Sequence, residues 1–105
     1  MTYAHIIDVP IPIEGYDAVH RTMIDRMNGE VPPDLGLLVH IGRASESGFQ
    51  VIEVWESKEA MDRAFQELVI PVIDSVNPNA SAGFTQRVTE FEIRGMVLAG
   101  RQIVT

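Results

Sequence analysis

The sequence predicts an α+β domain, a four-stranded antiparallel sheet with two helices in the order βαββαβ. Three observations predict it. Val51 to Trp55, VIEVW, is a run of β-branched and aromatic residues around one charge, the pattern of a central strand. Ser57 follows at once with an apolar stripe, Met61, Ala64, Phe65, Leu68, Val69, Val72, Ile73 and Val76, at the three- and four-residue steps of an amphipathic helix. A second helical stripe and three further strand-like runs flank this pair, with no linker, repeat or low-complexity segment between them.

The elements follow in order. Ala4 to Ile11 reads as a first strand, ended by Pro10 and Pro12 or held by them at an edge. Gly15 opens a helix in which Tyr16, Val19, His20, Met23, Ile24 and Met27 recur at helical spacing, and Asn28 with Gly29 stops it. Pro32 and Pro33 make Glu30 to Leu35 an extended connection. Gly36 to Arg43 is strand two, and the turn Ser45 to Gly48 returns the chain into strand three as a hairpin.

Ser57 is the expected N-cap of the long helix, with Glu59 and Asp62 near its positive end. Pro71 has no N–H for the carbonyl one turn back, so a helix from Lys58 to about Val69 should kink or break before a short turn begun by Pro71. Asn77 to Gly83 is a loop by composition, and Phe84 to Arg94 alternates as a fourth, half-exposed strand. Met96 to Leu98 and Ile103 to Val104 are too apolar for an idle tail and are expected to extend that strand or reach a partner chain. Right-handed crossovers turn this order into a single ferredoxin-like domain over residues 1–105 with both helices on one face of the sheet.

Composition narrows the function. An apolar fraction of 46% suits a globular protein, and no apolar run approaches the ~20 residues of a membrane helix. The N-terminus does not read as a signal peptide, so the expected location is cytoplasmic. Fifteen acidic residues against eight basic ones give a net charge of −7, which disfavours nucleic acid and anionic membranes as partners. The absence of cysteine removes disulfides, thiolate metal sites and cysteine nucleophiles. No two histidines share close ligand spacing, so no metal site is expected, and GxGxxG, P-loop and GxSxG motifs are absent.

In strand three, Ile52 and Val54 suit the helix layer, which would send Val51, Glu53 and Trp55 to the uncovered face of the sheet. So apolar a patch should not face water, and a second copy packed sheet on sheet would cover it. Alternation would then line a shared cavity with Ala4, Ile6 and Asp8 of strand one, Leu38 and His40 of strand two, and Glu53 and Trp55 of strand three.

The segments GLLVHIG and VIEVWESKEAMDRAF, followed by a proline-interrupted helix, resemble the antibiotic-biosynthesis-monooxygenase-like family of the dimeric α+β barrel superfamily. The resemblance covers about Ala4 to Arg94, and EVWES with the helix Lys58 to Phe65 is its most specific part. It implies a homodimer with an apolar pocket in each subunit. Some members are cofactor-free oxygenases of polycyclic phenols and others degrade haem. The haem-degrading branch has a tryptophan and a histidine where this chain has Phe65 and about Val76, so that activity is disfavoured.

The expected activity is therefore a cofactor-independent, monooxygenase-like reaction on a small aromatic or polyketide-like compound. Its alternative is a non-catalytic ligand-binding or accessory homodimer of the same fold. An oxygenase of this kind needs a base, donors for the resulting anion and walls that exclude water. His40 is the candidate base, oriented by Asp8 or Glu53, with Ile6, Leu38, Val51, Trp55 and Phe65 as the ligand-binding wall. Against each stands a plainer role: His40 as a hydrogen-bonded strand residue, Glu53 paired with Arg43 or Arg94 across an interface, Trp55 as a packing anchor.

Overall fold

A computed structural model describes residues 2–77, 86–99 and 103–104. The chain runs β1 (Tyr3–Val9), α1 (Ile13–Arg26), β2 (Leu37–Ser45), β3 (Gly48–Trp55), α2 (Lys58–Ala64), a π-helical turn (Phe65–Val69), α3 (Ile70–Val76) and β4 (Arg87–Phe91), then the short strands β5 (Met96–Val97) and β6 (Ile103–Val104). The sheet has the antiparallel order β2-β3-β1-β4. This is the ferredoxin-like arrangement, with β1 and β3 at its centre.

Element boundaries moved where local chemistry is subtle. Helix α1 starts at Ile13, two residues before Gly15, because Pro12 holds φ −60° at the N-cap and Gly15 N–H already bonds the Pro12 carbonyl at 3.0 Å. The hairpin turn is tighter than four residues, since Ser45 pairs directly with Gly48 and brings Phe49, Gln50 and Ala44 into the ladder. Strand β4 ends at Phe91 rather than Arg94, and all of its residues are exposed. The expected start of this strand at Phe84 and most of the preceding loop lie outside the described residues. Met96–Val97 does not extend β4 but pairs with Ile103–Val104 as a separate two-stranded ribbon.

Pro71 does not break the helix. Ahead of it the bonding widens, with the Ile70 N–H reaching the Phe65 carbonyl five residues back, and Pro71 falls in the first turn of α3, where its missing donor is harmless. The Ser57 hydroxyl caps α2 as expected, accepting from the Ala60 N–H at 3.1 Å. Gly36 precedes β2 at φ +88°, and a Cβ there would come within 2.8 Å of the Ala60 Cβ, so only glycine fits beneath α2.

The sheet faces are the reverse of the expected ones. Phe49, Val51 and Trp55 pack with Ile7, Val9, Tyr16, Met61, Ala64 and Phe65 in the layer between sheet and helices. Register then places Tyr3, His5 and Glu53 on the same side. The opposite face carries two largely apolar rows instead, Val39, Val54, Ala4 and Phe91, and Ile41, Ile52, Ile6 and Thr89, in which Val54 and Ala4 are buried and Ile41 and Phe91 exposed. Both phases of β3 are apolar, so alternation could not choose between them. The one charge, Glu53, suggests the wet side, yet it is buried at 6% exposure because its hydrogen bonds are met inside.

Candidate functional site

Polar side chains under the helices form one continuous hydrogen-bonded chain. At its inner end His5 Nε2 donates to Glu53 Oε1 at 2.8 Å, and Trp55 Nε1 donates to the same oxygen at 3.1 Å. The other carboxylate oxygen, Oε2, lies 2.7 Å from His40 Nδ1. His40 Nε2 is 2.7 Å from the Tyr16 hydroxyl, which is also 3.2 Å from His20 Nδ1. Three strands and α1 contribute, and the chain runs from the core to the surface.

Local structure explains each placement. His5, Glu53 and His40 sit directly across from one another in the ladder, where neighbouring side chains on one face stand about 5 Å apart. Tyr16 and His20 are four residues apart on α1, hence on one stripe, and their rings stack at 5.2 Å. Gly42 admits the tyrosine: a Cβ there would lie 2.1 Å from the ring's Cζ, so any side chain on β2 at this point would displace it.

Burial is the largest influence on Glu53 and raises its pKa, but donors from His40, His5 and Trp55, with the positive charge available on His40, outweigh it and bring the carboxyl from 4.5 to about 2. An ionised carboxylate only accepts, so the three nitrogens facing it carry hydrogens. His5 is 2% exposed and its Nδ1 has no partner among the described residues, so it is anchored by its Nε2–H. Tyr16 is pushed above its usual pKa by burial and by the charges of Glu53 and Asp17, which keeps its proton on the hydroxyl at neutral pH. Its oxygen therefore has one proton to give and can accept another.

His40 can receive the Tyr16 proton at Nε2 or, as an imidazolium, donate to the Tyr16 oxygen. In the first state His20 donates to Tyr16, and in the second it accepts. The His20 and His40 rings lie 5.7 Å apart and nearly parallel.

Of the expected site residues, the structure brings together His40, Glu53 and Trp55, with Val51 and Phe65 in the adjoining core. Phe65 stands edge-on to both His5 and Trp55, at 6.1 and 6.3 Å between ring centres. Asp8 and Ile6 are on the opposite face, where Asp8 accepts from Gln50 and lies 3.8 Å from Arg87. Alternation fixes this separation, since His5 and Ile7 take the helix side. Leu38 falls at a register irregularity between Leu37 and Val39. Nor does Glu53 wait for an arginine: Arg43 donates to Gln50 and Arg94 lies by Glu92.

Tyr16, His20 and His5 are the members that sequence reasoning missed. A faint signal existed in the Tyr16–His20 spacing on one helix face, but nothing local says that this face meets His40. No metal-holding group of side chains occurs among the described residues. Two open hollows lie elsewhere. One of about 730 Å³ runs beside Tyr3, Ala4, Lys58, Glu90 and Phe91, and one of about 380 Å³ lies between Pro10 to Glu14 and the β2–β3 turn. No helix of the described residues is long and apolar enough to cross a membrane.

No protein-family model matches the chain, and no curated protein sequence matches it. Solved structures do. A candidate antibiotic biosynthesis monooxygenase from Caulobacter crescentus superposes with a TM-score of 0.61 at 10% identity, covering 88% of this chain and 89% of that one. Another from Bacteroides thetaiotaomicron gives 0.59 at 12% identity, with 96% and 95% covered. SnoaB, a cofactor-independent oxygenase from Streptomyces nogalater, gives 0.55 at 16% identity, with 91% and 94% covered. With the βαββαβ order, the sheet order and near-complete coverage of each neighbour, the chain has the fold of the antibiotic-biosynthesis-monooxygenase-like proteins.

Proposed function

We propose that this protein is a cofactor-independent oxygenase of a small hydroxyaromatic compound, acting as a homodimer, with His40 as its base. The 2.7 Å contact between His40 Nδ1 and Glu53 carries the reading. A buried carboxylate fixes the imidazole's orientation and tautomer and stabilises the imidazolium that forms when Nε2 takes a proton. Tyr16 occupies Nε2, so a phenolic substrate would either displace its hydroxyl or pass a proton through it. In the second case Tyr16 receives the substrate proton as its own moves to His40.

The deprotonated ring is electron-rich at carbon and can reduce O2 without a bound metal or flavin. For a tricyclic phenol with a reactive methylene, one oxygen atom becomes the new carbonyl and the other leaves as water with the two methylene hydrogens. No outside reductant is needed. Val51 and Phe65, each half-buried, would supply the apolar wall with Trp55 packed against Phe65, and SnoaB, a cofactor-independent oxygenase, has the same fold. The homodimer is supported by the open sheet face, where Ile41 and Phe91 are 49% and 42% exposed beside Ile6, Ile52 and Val39.

Oxygen uptake with a tricyclic phenol tests the reading. The purified protein should consume O2 at least 100-fold faster than its His40→Ala variant, a normal effect for a general base. Equal rates would overturn it. The second reading, a non-catalytic ligand-binding homodimer, is favoured by the engagement of both His40 nitrogens, and it predicts retention of the phenol without product.

A further inference from the structure

A base that takes up a proton in the proposed reaction must return it to water. Both ring nitrogens of His40 are bonded within the protein. Glu53 is a closed end, since its other oxygen serves His5 and Trp55 in the core. The His40 side chain is 27% exposed, and of the two groups bonded to its nitrogens Tyr16 is the one that leads on to an exposed residue, His20.

We propose that Tyr16 and His20 form a proton relay, through which His40 exchanges protons with solvent at the exposed His20 ring. Three observations support it. The Tyr16 hydroxyl lies within hydrogen-bond distance of both imidazoles, 2.7 Å from His40 and 3.2 Å from His20. The three rings are almost parallel, with interplanar angles of 7 to 17°, so proton transfer needs a hydroxyl rotation and no ring movement. His20 is exposed and bonds Tyr16 through Nδ1, which directs Nε2 away from that contact.

The transfer balances. A proton on His40 Nε2 moves to the Tyr16 oxygen as the Tyr16 proton moves to His20 Nδ1, and His20 then releases its Nε2 proton to water. Charge moves from one imidazole to the other, and Tyr16 is neutral before and after. The ionisable groups facing this path are Glu53 of β3, His5 of β1 and Asp17 of α1. When His40 carries the proton, Glu53 draws that charge inward, and Asp17 acts on Tyr16 from the same helix. His20 and Tyr16 are therefore positioning and relay residues that act through His40.

The test needs no substrate, which separates it from the oxygenase reading on which its catalytic meaning rests. In protein with 15N-labelled histidine, NMR measures the exchange of the His40 ring protons with water, with circular dichroism confirming that each variant is folded. Tyr16→Phe keeps the ring and loses the hydroxyl, and His20→Ala removes the outlet. Exchange should slow at least tenfold in both, and added imidazole should restore it in His20→Ala but not in Tyr16→Phe. Exchange within twofold of wild type in either variant would overturn the relay, as would a lack of rescue by imidazole. Absence of oxygen uptake by the wild-type protein would sink the oxygenase and leave this result standing.

Discussion

Glu53 shows how a residue that looks misplaced can be required where it is. Burial opposes its charge, yet two histidines and a tryptophan hold the carboxyl at about 2 against an ordinary 4.5. A carboxyl whose folded value is depressed contributes stability that is fully present above its unfolded value and lost as pH falls through the folded one. The difference corresponds to about 3 kcal/mol, lost between roughly pH 4.5 and pH 2. Urea unfolding of wild type and Glu53→Gln across pH 5 to 2 should therefore show a steeper loss for wild type by about that amount. Parallel curves would mean that His5, His40 and Trp55 do not stabilise the anion. The register that sets His40 opposite Glu53 came from the structure, but both were legible in the sequence as titratable residues on one face of adjoining strands. Their partners Tyr16 and His20 were not, because an i,i+4 pair on a helix is silent about which strand it will cover.

Among the elements, the helical stretch after β3 is the best specified. Ser57 caps it, Ala60, Met61 and Ala64 are buried, and Val72 is fully enclosed beyond the π turn. Loss of the cap in Ser57→Ala leaves the Ala60 N–H without its acceptor and should cost about 1 kcal/mol, seen as a lower urea midpoint with unchanged slope. No change in midpoint would mean that water replaces the hydroxyl at no cost. The proline's effect could be anticipated as a disturbance but not in kind. Whether a helix breaks, kinks or widens depends on what its next turn packs against, and here Phe65 on one side and Val72 on the other are both held in the core. Helix α1 contrasts with this stretch, having no buried residue. It contributes through half-buried side chains: Ile13 and Tyr16 pack against the cluster of Ile7, Val9 and Phe49, and Tyr16 and His20 stand over β2.

At the scale of the molecule, the side of the sheet away from the helices exposes Ile41 and Phe91 at its two edges, with Val39, Ile52 and Ile6 half-buried between them and Val54 and Ala4 buried. Exposed and half-buried apolar side chains sharing one sheet face in this way mark a contact surface. With the proposed homodimer seated on this face, Ile41→Asp would bury unpaired charges within the contact. Sedimentation at micromolar concentration should then give the mass of two chains for wild type and of one for the variant. A wild-type monomer would remove the proposed dimer. The hydrogen-bonded chain is built within one subunit and would survive it, whereas a cavity between the two sheets would have been lost.

By itself, the sequence determined the order of elements, the antiparallel sheet, the capped helix and the apolar character of both faces of β3, because these follow from spacing and from the backbone needs of serine, glycine and proline. It did not determine which face of the sheet the helices cover. A strand apolar in both phases satisfies alternation either way, and only the packing of Phe65, Met61 and Tyr16 against Trp55, Val51 and Phe49 decides. That choice moved Glu53 and His40 from an intersubunit cavity to the interior of one chain, parted them from Asp8, and joined them to Tyr16, His20 and His5. Those contacts link residues up to 48 positions apart, so no local pattern could carry them.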